Sequence, residues 1–83
     1  MDIRITYCGI WNYLPKAQVV ASEIRENYSN VNIELVKGSG GVFDIQLNEQ
    51  IIYSKTITKR FPYGNEINEK IKEVINGNDS KGW

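Results

Sequence analysis

The 83-residue chain has no histidine and one cysteine, Cys8. A lone thiol forms no internal disulfide, and without histidine the usual zinc donor sets are missing, so neither a metal centre nor a His-assisted nucleophile is expected. The chain also lacks an excess of either charge, with 10 basic residues against 10 acidic ones. That balance removes the main argument for a nucleic-acid or anionic-membrane partner. Long apolar runs are absent too: none exceeds a stretch such as Ile51-Ile52-Tyr53. Met1-Asp2-Ile3-Arg4 has no signal-peptide character, so the expected location is the cytoplasm.

What remains is ordinary globular material, 41% apolar and 11% aromatic. A chain this short has surface enough for one core only, so a single domain over residues 1–76 is expected, followed by a Gly/Asn/Ser-rich flexible tail, 77–83, that ends on Trp83.

Ile3-Arg4-Ile5-Thr6-Tyr7 alternates apolar with polar residues and reads as a strand running into Cys8-Gly9. Pro15 suits the first turn of a helix whose Ala17, Val20, Ala21, Ile24 and Tyr28 recur on one face. Val31, Ile33 and Leu35 alternate as a second strand, and a strand-helix-strand unit implies a right-handed crossover with parallel strands. After Gly38-Ser39-Gly40-Gly41, the segments Val42–Leu47 and Ile51–Ser54 read as an antiparallel hairpin. Asn65 is placed as the N-cap of a last helix with Ile67, Ile71, Val74 and Ile75 on one face and Gly77 at its end. The order β-α-β-β-β-α, with a four-stranded mixed sheet and two helices, fits several α/β folds.

Tyr7-Cys8-Gly9-Ile10-Trp11-Asn12-Tyr13-Leu14-Pro15-Lys16-Ala17 resembles the active-site segment of the selenoprotein W-like family, the Rdx group of thioredoxin-like proteins. Gly38-Ser39-Gly40-Gly41-Val42-Phe43-Asp44-Ile45 and Phe61-Pro62 are similar to later segments of that family, in the same order. The resemblance implies a thioredoxin-like fold and redox chemistry at Cys8. It also implies that the second redox residue, a Cys or selenocysteine, stands three positions on, where this chain has Trp11.

Three accounts of that departure stay open. Cys8 acts as a single thiol that forms mixed disulfides with glutathione or protein thiols. Trp11 stands for a selenocysteine encoded by UGA, which inspection of codon 11 would show. Or the redox role is lost and a noncatalytic, partner-binding domain remains. No cofactor is expected beyond glutathione as co-substrate.

Each residue has a plainer reading as well. Free cysteines are among the most buried residues, and only a strand-end position followed by Gly9, together with the resemblance, argues for an accessible, reactive thiol at the edge of the sheet. Trp11 and Tyr13 line a groove with Gly9 and Ile10, or they pack the helix onto the sheet. The resemblance sets Ser39, Gly40, Gly41 and Val42 beside Cys8 to meet a substrate; otherwise they form a turn. Gly38 to Gly41 also match the GxxG of KH domains, but that loop joins two helices and here strands flank it. Lys55, Lys59 and Arg60, followed by Phe61 and Tyr63, read first as a solvated strand edge and second as a partner-binding patch.

Overall fold

A computed structural model describes residues 1–77. Trp83 and the rest of the expected tail from residue 78 onward lie outside the described residues. β1 (Asp2–Cys8), β2 (Asn32–Gly38), β3 (Phe43–Leu47) and β4 (Gln50–Ser54) form one sheet in the order β2-β1-β3-β4. β1 runs parallel to β2, with Ile3 opposite Ile33 and Cys8 opposite Gly38. It runs antiparallel to β3, with Ile5 opposite Ile45 and Tyr7 opposite Phe43. The mixed α/β sheet is the expected one.

Its apolar side is covered by α1 (Leu14–Asn27) and α3 (Glu66–Ile75). Ala17, Val20, Ala21 and Ile24 of α1 are buried with Ile67 and Ile71 of α3 against Ile3, Ile5, Ile45, Leu47 and Ile52. Period-2 strands meeting period-3.6 helices on one side make a two-layer domain. On the far side the sheet carries the exposed Arg4–Glu34 pair, 3.1 Å apart. Ile52 and Tyr53 are both buried because the β3–β4 ladder slips by one residue between Ile45 and Gln46. A bulge lets two successive side chains escape strict alternation.

Three details differ from the sequence reading. Lys55–Thr58 is a helical turn, α2, rather than a strand edge. Lys59 ends it in the left-handed region at φ 65°, and the Thr58 hydroxyl lies 3.1 Å from the Ser54 carbonyl oxygen. Asn65 occupies the N-cap of α3 at φ 69° without a side-chain cap bond; the first turn is instead tied by the Tyr63 N–H, which donates to Glu66 Oε1 at 2.9 Å. Ile75 is exposed at the end of the helix, while Gly77, at φ 83°, closes it with an N–H to the Val74 carbonyl.

Candidate redox site

β1 lies inside the sheet, so the short connection from β2 to β3, residues 39–42, has to cross the end of β1 where Cys8 stands. Backbone bonds clamp this crossing: the Cys8 N–H donates to the Val42 carbonyl at 2.9 Å and the Gly9 N–H to the Gly38 carbonyl at 3.2 Å. A Cβ on Gly38 would stand 2.8 Å from Val42 Cγ1, so the two ends of the crossing are drawn tightly together.

The loop after Cys8 curls back in the same way. Asn12, at φ 58°, donates its N–H to the Gly9 carbonyl, and the Tyr13 N–H reaches the Cys8 carbonyl at 3.0 Å. Its two outermost residues, Ile10 and Trp11, are 82% and 59% exposed. The Trp11 ring nevertheless lies on Gly41, where a Cβ would come within 2.5 Å of it.

Together these segments leave Cys8 with 0% of its surface exposed. The accessible sulfur at a sheet edge is therefore corrected: the strand is central and the crossing loop closes over its end. The expected neighbours are brought together all the same. Gly9, Trp11, Gly41 and Val42 surround the strand end, while Ile10, Ser39 and Gly40 face solvent at its rim.

Tyr13 proves to be a packing residue. Its ring meets Trp11 edge-on at 6.1 Å, Phe43 at 6.5 Å and Phe61 at 4.7 Å, and Phe43 meets Phe61 at 5.2 Å. Such edge-to-face pairs are favoured by the ring quadrupoles. Two lysines that the sequence reading did not bring together border this cluster. Lys16 Nζ lies 5.2 Å from the Phe61 centroid, and Lys55 Nζ is 5.2 Å from Phe61 and 5.5 Å from Tyr13. Beside them a cleft of about 160 Å³ opens, lined by Lys16, Val20, Glu23, Phe43, Phe61 and Pro62. Lys16 and Lys55, far apart in sequence, share no local signal that could have paired them.

Arg60 is engaged within the fold. Its guanidinium forks onto Glu66 at 2.7 and 2.9 Å, stacks 4.1 Å from the Tyr63 centroid and donates to the Tyr53 hydroxyl at 3.2 Å. That fork holds the Glu66 carboxyl below its ordinary range and pushes Arg60 up. Burial raises Tyr53, whose hydroxyl donates to the Arg60 carbonyl at 2.7 Å. Among the described residues, no group of three or more Cys, Asp or Glu is placed to hold a metal, and no helix is long and apolar enough to cross a membrane.

A sequence profile of the Rdx family matches residues 2–73. The chain belongs to the Rdx family. Migration and invasion enhancer 1 of Mus musculus is 32% identical to it over 77 residues, 93% of this chain and 67% of the relative. The Bos taurus protein of that name is also 32% identical, over 90% of this chain and 65% of its own length. This Rdx chain thus spans about two thirds of those relatives. A selenoprotein W-related protein from Vibrio cholerae shares its fold, with a TM-score of 0.85 at 22% identity over 89% of this chain and 95% of that one. A Bordetella parapertussis protein superimposes with a TM-score of 0.83 at 25% identity, over 88% and 95%. The Rdx family has a redox-type, thioredoxin-like fold, and this member carries Cys8 and Trp11 at the end of β1 and in the loop after it.

Proposed function

We propose that this Rdx-family protein exchanges disulfides through Cys8, as a single-thiol partner of glutathione or of a protein thiol. The observation that carries the reading is the position of Cys8: it ends an internal strand where two short loops are bonded across the strand end and one exposed ring lies on them. Lifting that cover is a local opening, which costs less than unfolding the domain. In the open form the Cys8 thiolate attacks one sulfur of a disulfide, forming a mixed disulfide and releasing the other half as a thiolate; a second thiol reverses the step. A reducing compartment rich in thiols suits this chemistry, which makes the cytoplasm the location the reading requires.

The test is incubation with oxidised glutathione followed by intact mass measurement. One added glutathione is expected on the wild-type chain and none on Cys8→Ser. Alkylation of Cys8 should also accelerate in urea well below the unfolding midpoint, as local opening demands. A thiol that labels only in step with global unfolding would refute the reading. The burial of Cys8 beside the exposed Ile10 and Trp11 favours one alternative, a noncatalytic domain that docks a protein partner through that loop. Full cellular function in Cys8→Ser would select it.

A further inference from the structure

The chain has no net charge, yet its charges are not evenly spread around the strand end. The stem of Lys37 is draped over Gly9, the residue after Cys8, so closely that a Cβ there would overlap it. Lys55 lies over Tyr13, whose N–H bonds the Cys8 carbonyl, and Lys16 lies over Phe61 in the same aromatic cluster. Among the described residues, none of these three ammonium groups is paired with a carboxylate within 4.0 Å, unlike Arg4 with Glu34 and Arg60 with Glu66.

Several acidic side chains are placed elsewhere. Asp2 bonds through its backbone to Asn48 at the opposite end of β1, next to Glu49 in the hairpin loop. Glu34 and Glu66 are held by arginines. The exceptions are Glu23, two turns after Lys16 on α1, which lines the cleft together with Lys16 and Phe61, and Asp44, in β3 opposite Thr6, one of its oxygens buried. Cations held against ring faces keep their outer side free for an anion, since the quadrupole attracts the charge without neutralising it.

We propose that Lys16, Lys37 and Lys55 select an anionic exchange partner for Cys8, a disulfide whose halves carry carboxylates, as in an acidic peptide or a small carboxylated thiol. The inference rests on the thiol reading above. The same lysines act twice in the exchange. They draw in the charged disulfide R–S–S–R, and as Cys8 forms its bond to one sulfur they stabilise the departing R–S⁻ and its carboxylate.

Three symmetric disulfides of similar size test this on the full chain: 3,3′-dithiodipropionate with two carboxylates, neutral 2-hydroxyethyl disulfide, and cystamine with two ammoniums. Adduct formation at Cys8 is followed by intact mass, and each rate is divided by the rate of N-acetylcysteinamide with the same reagent. At low ionic strength the expected order is anionic, neutral, cationic, with about tenfold between the extremes. Raising NaCl to about 0.5 M should shrink that spread toward unity, because the screening length then falls to a few ångströms. Combining K16Q, K37Q and K55Q should draw the three normalised rates together, whereas K72Q on α3 keeps their order. Equal normalised rates in the wild type, or a spread indifferent to salt, overturn the charge selection alone. No adduct with any of the three removes the thiol reading and this inference with it.

Discussion

Two adjacent glycines separate what the backbone needs from what Trp11 needs. Gly40 and Gly41 both adopt left-handed conformations, φ 71° and 75°, so an alanine at either costs about 1 kcal/mol of stability. They differ in surroundings: a Cβ on Gly40 meets nothing within 4 Å, whereas one on Gly41 enters the Trp11 ring. Gly41→Ala should therefore dislodge Trp11 and speed alkylation of Cys8 by about tenfold over Gly40→Ala, equivalent to about 1.4 kcal/mol of opening free energy. Iodoacetamide kinetics on the two variants measure the difference. Identical rates would show that Trp11 is no part of the cover.

At the level of elements, the turn between β4 and α3 is organised by side chains rather than by its own propensity. Thr58 donates to the Tyr53 hydroxyl at 2.9 Å, and Tyr53 and Arg60 bind each other while Arg60 grips Glu66. This network gives the domain two titrating limbs. Glu66, depressed chiefly by its bonds to Arg60, contributes stability that is present above the ordinary glutamate range and lost as pH falls through its lowered value. Tyr53, raised chiefly by burial, contributes stability present below about pH 10 and lost as pH rises through its raised value. Urea midpoints followed from acid to alkaline pH should show both limbs. Glu66→Gln is expected to flatten the acid one and Tyr53→Phe the alkaline one, with Tyr53→Phe costing about 1 kcal/mol at neutral pH for its lost hydroxyl bonds. An unchanged acid limb in Glu66→Gln would place that dependence on another carboxylate.

Across the whole molecule, stability rests on the single layer of contact between the sheet and its two long helices. Ile71 is fully buried where α3 meets that layer, and Ile75, one turn later, is 56% exposed. Ile71→Ala should cost about 3 kcal/mol through lost burial and the cavity left behind, a large share of the roughly 5–15 kcal/mol typical of small domains. Ile75→Ala should stay within about 0.5 kcal/mol, as for other surface changes. Denaturant titration of the pair distinguishes them, and equal costs would contradict this division of the helix.

The strands, α1, α3 and the parallel pairing were legible because each is written in local periodicity: Ile3 and Ile5 against Arg4, Ala17 to Ile24 on one helical face, Pro15 in a first turn and Gly77 past a last one. The segments around Cys8, Gly38 and Phe61 likewise carried the family resemblance. Three things were not legible. Lys55–Thr58 looked extended, and it is Tyr53, Ser54 and Arg60 that turn it into a helix. Lys16, Lys37 and Lys55 are strangers in sequence and neighbours around one strand end. Whether Cys8 is open or closed depended on which strands flank β1, for only an internal β1 forces residues 39–42 across its end. Local preference acts over a few residues and so determines elements and their order. Burial and the field at a site are sums over groups that only the folded chain brings together, and for those the tertiary structure alone was decisive.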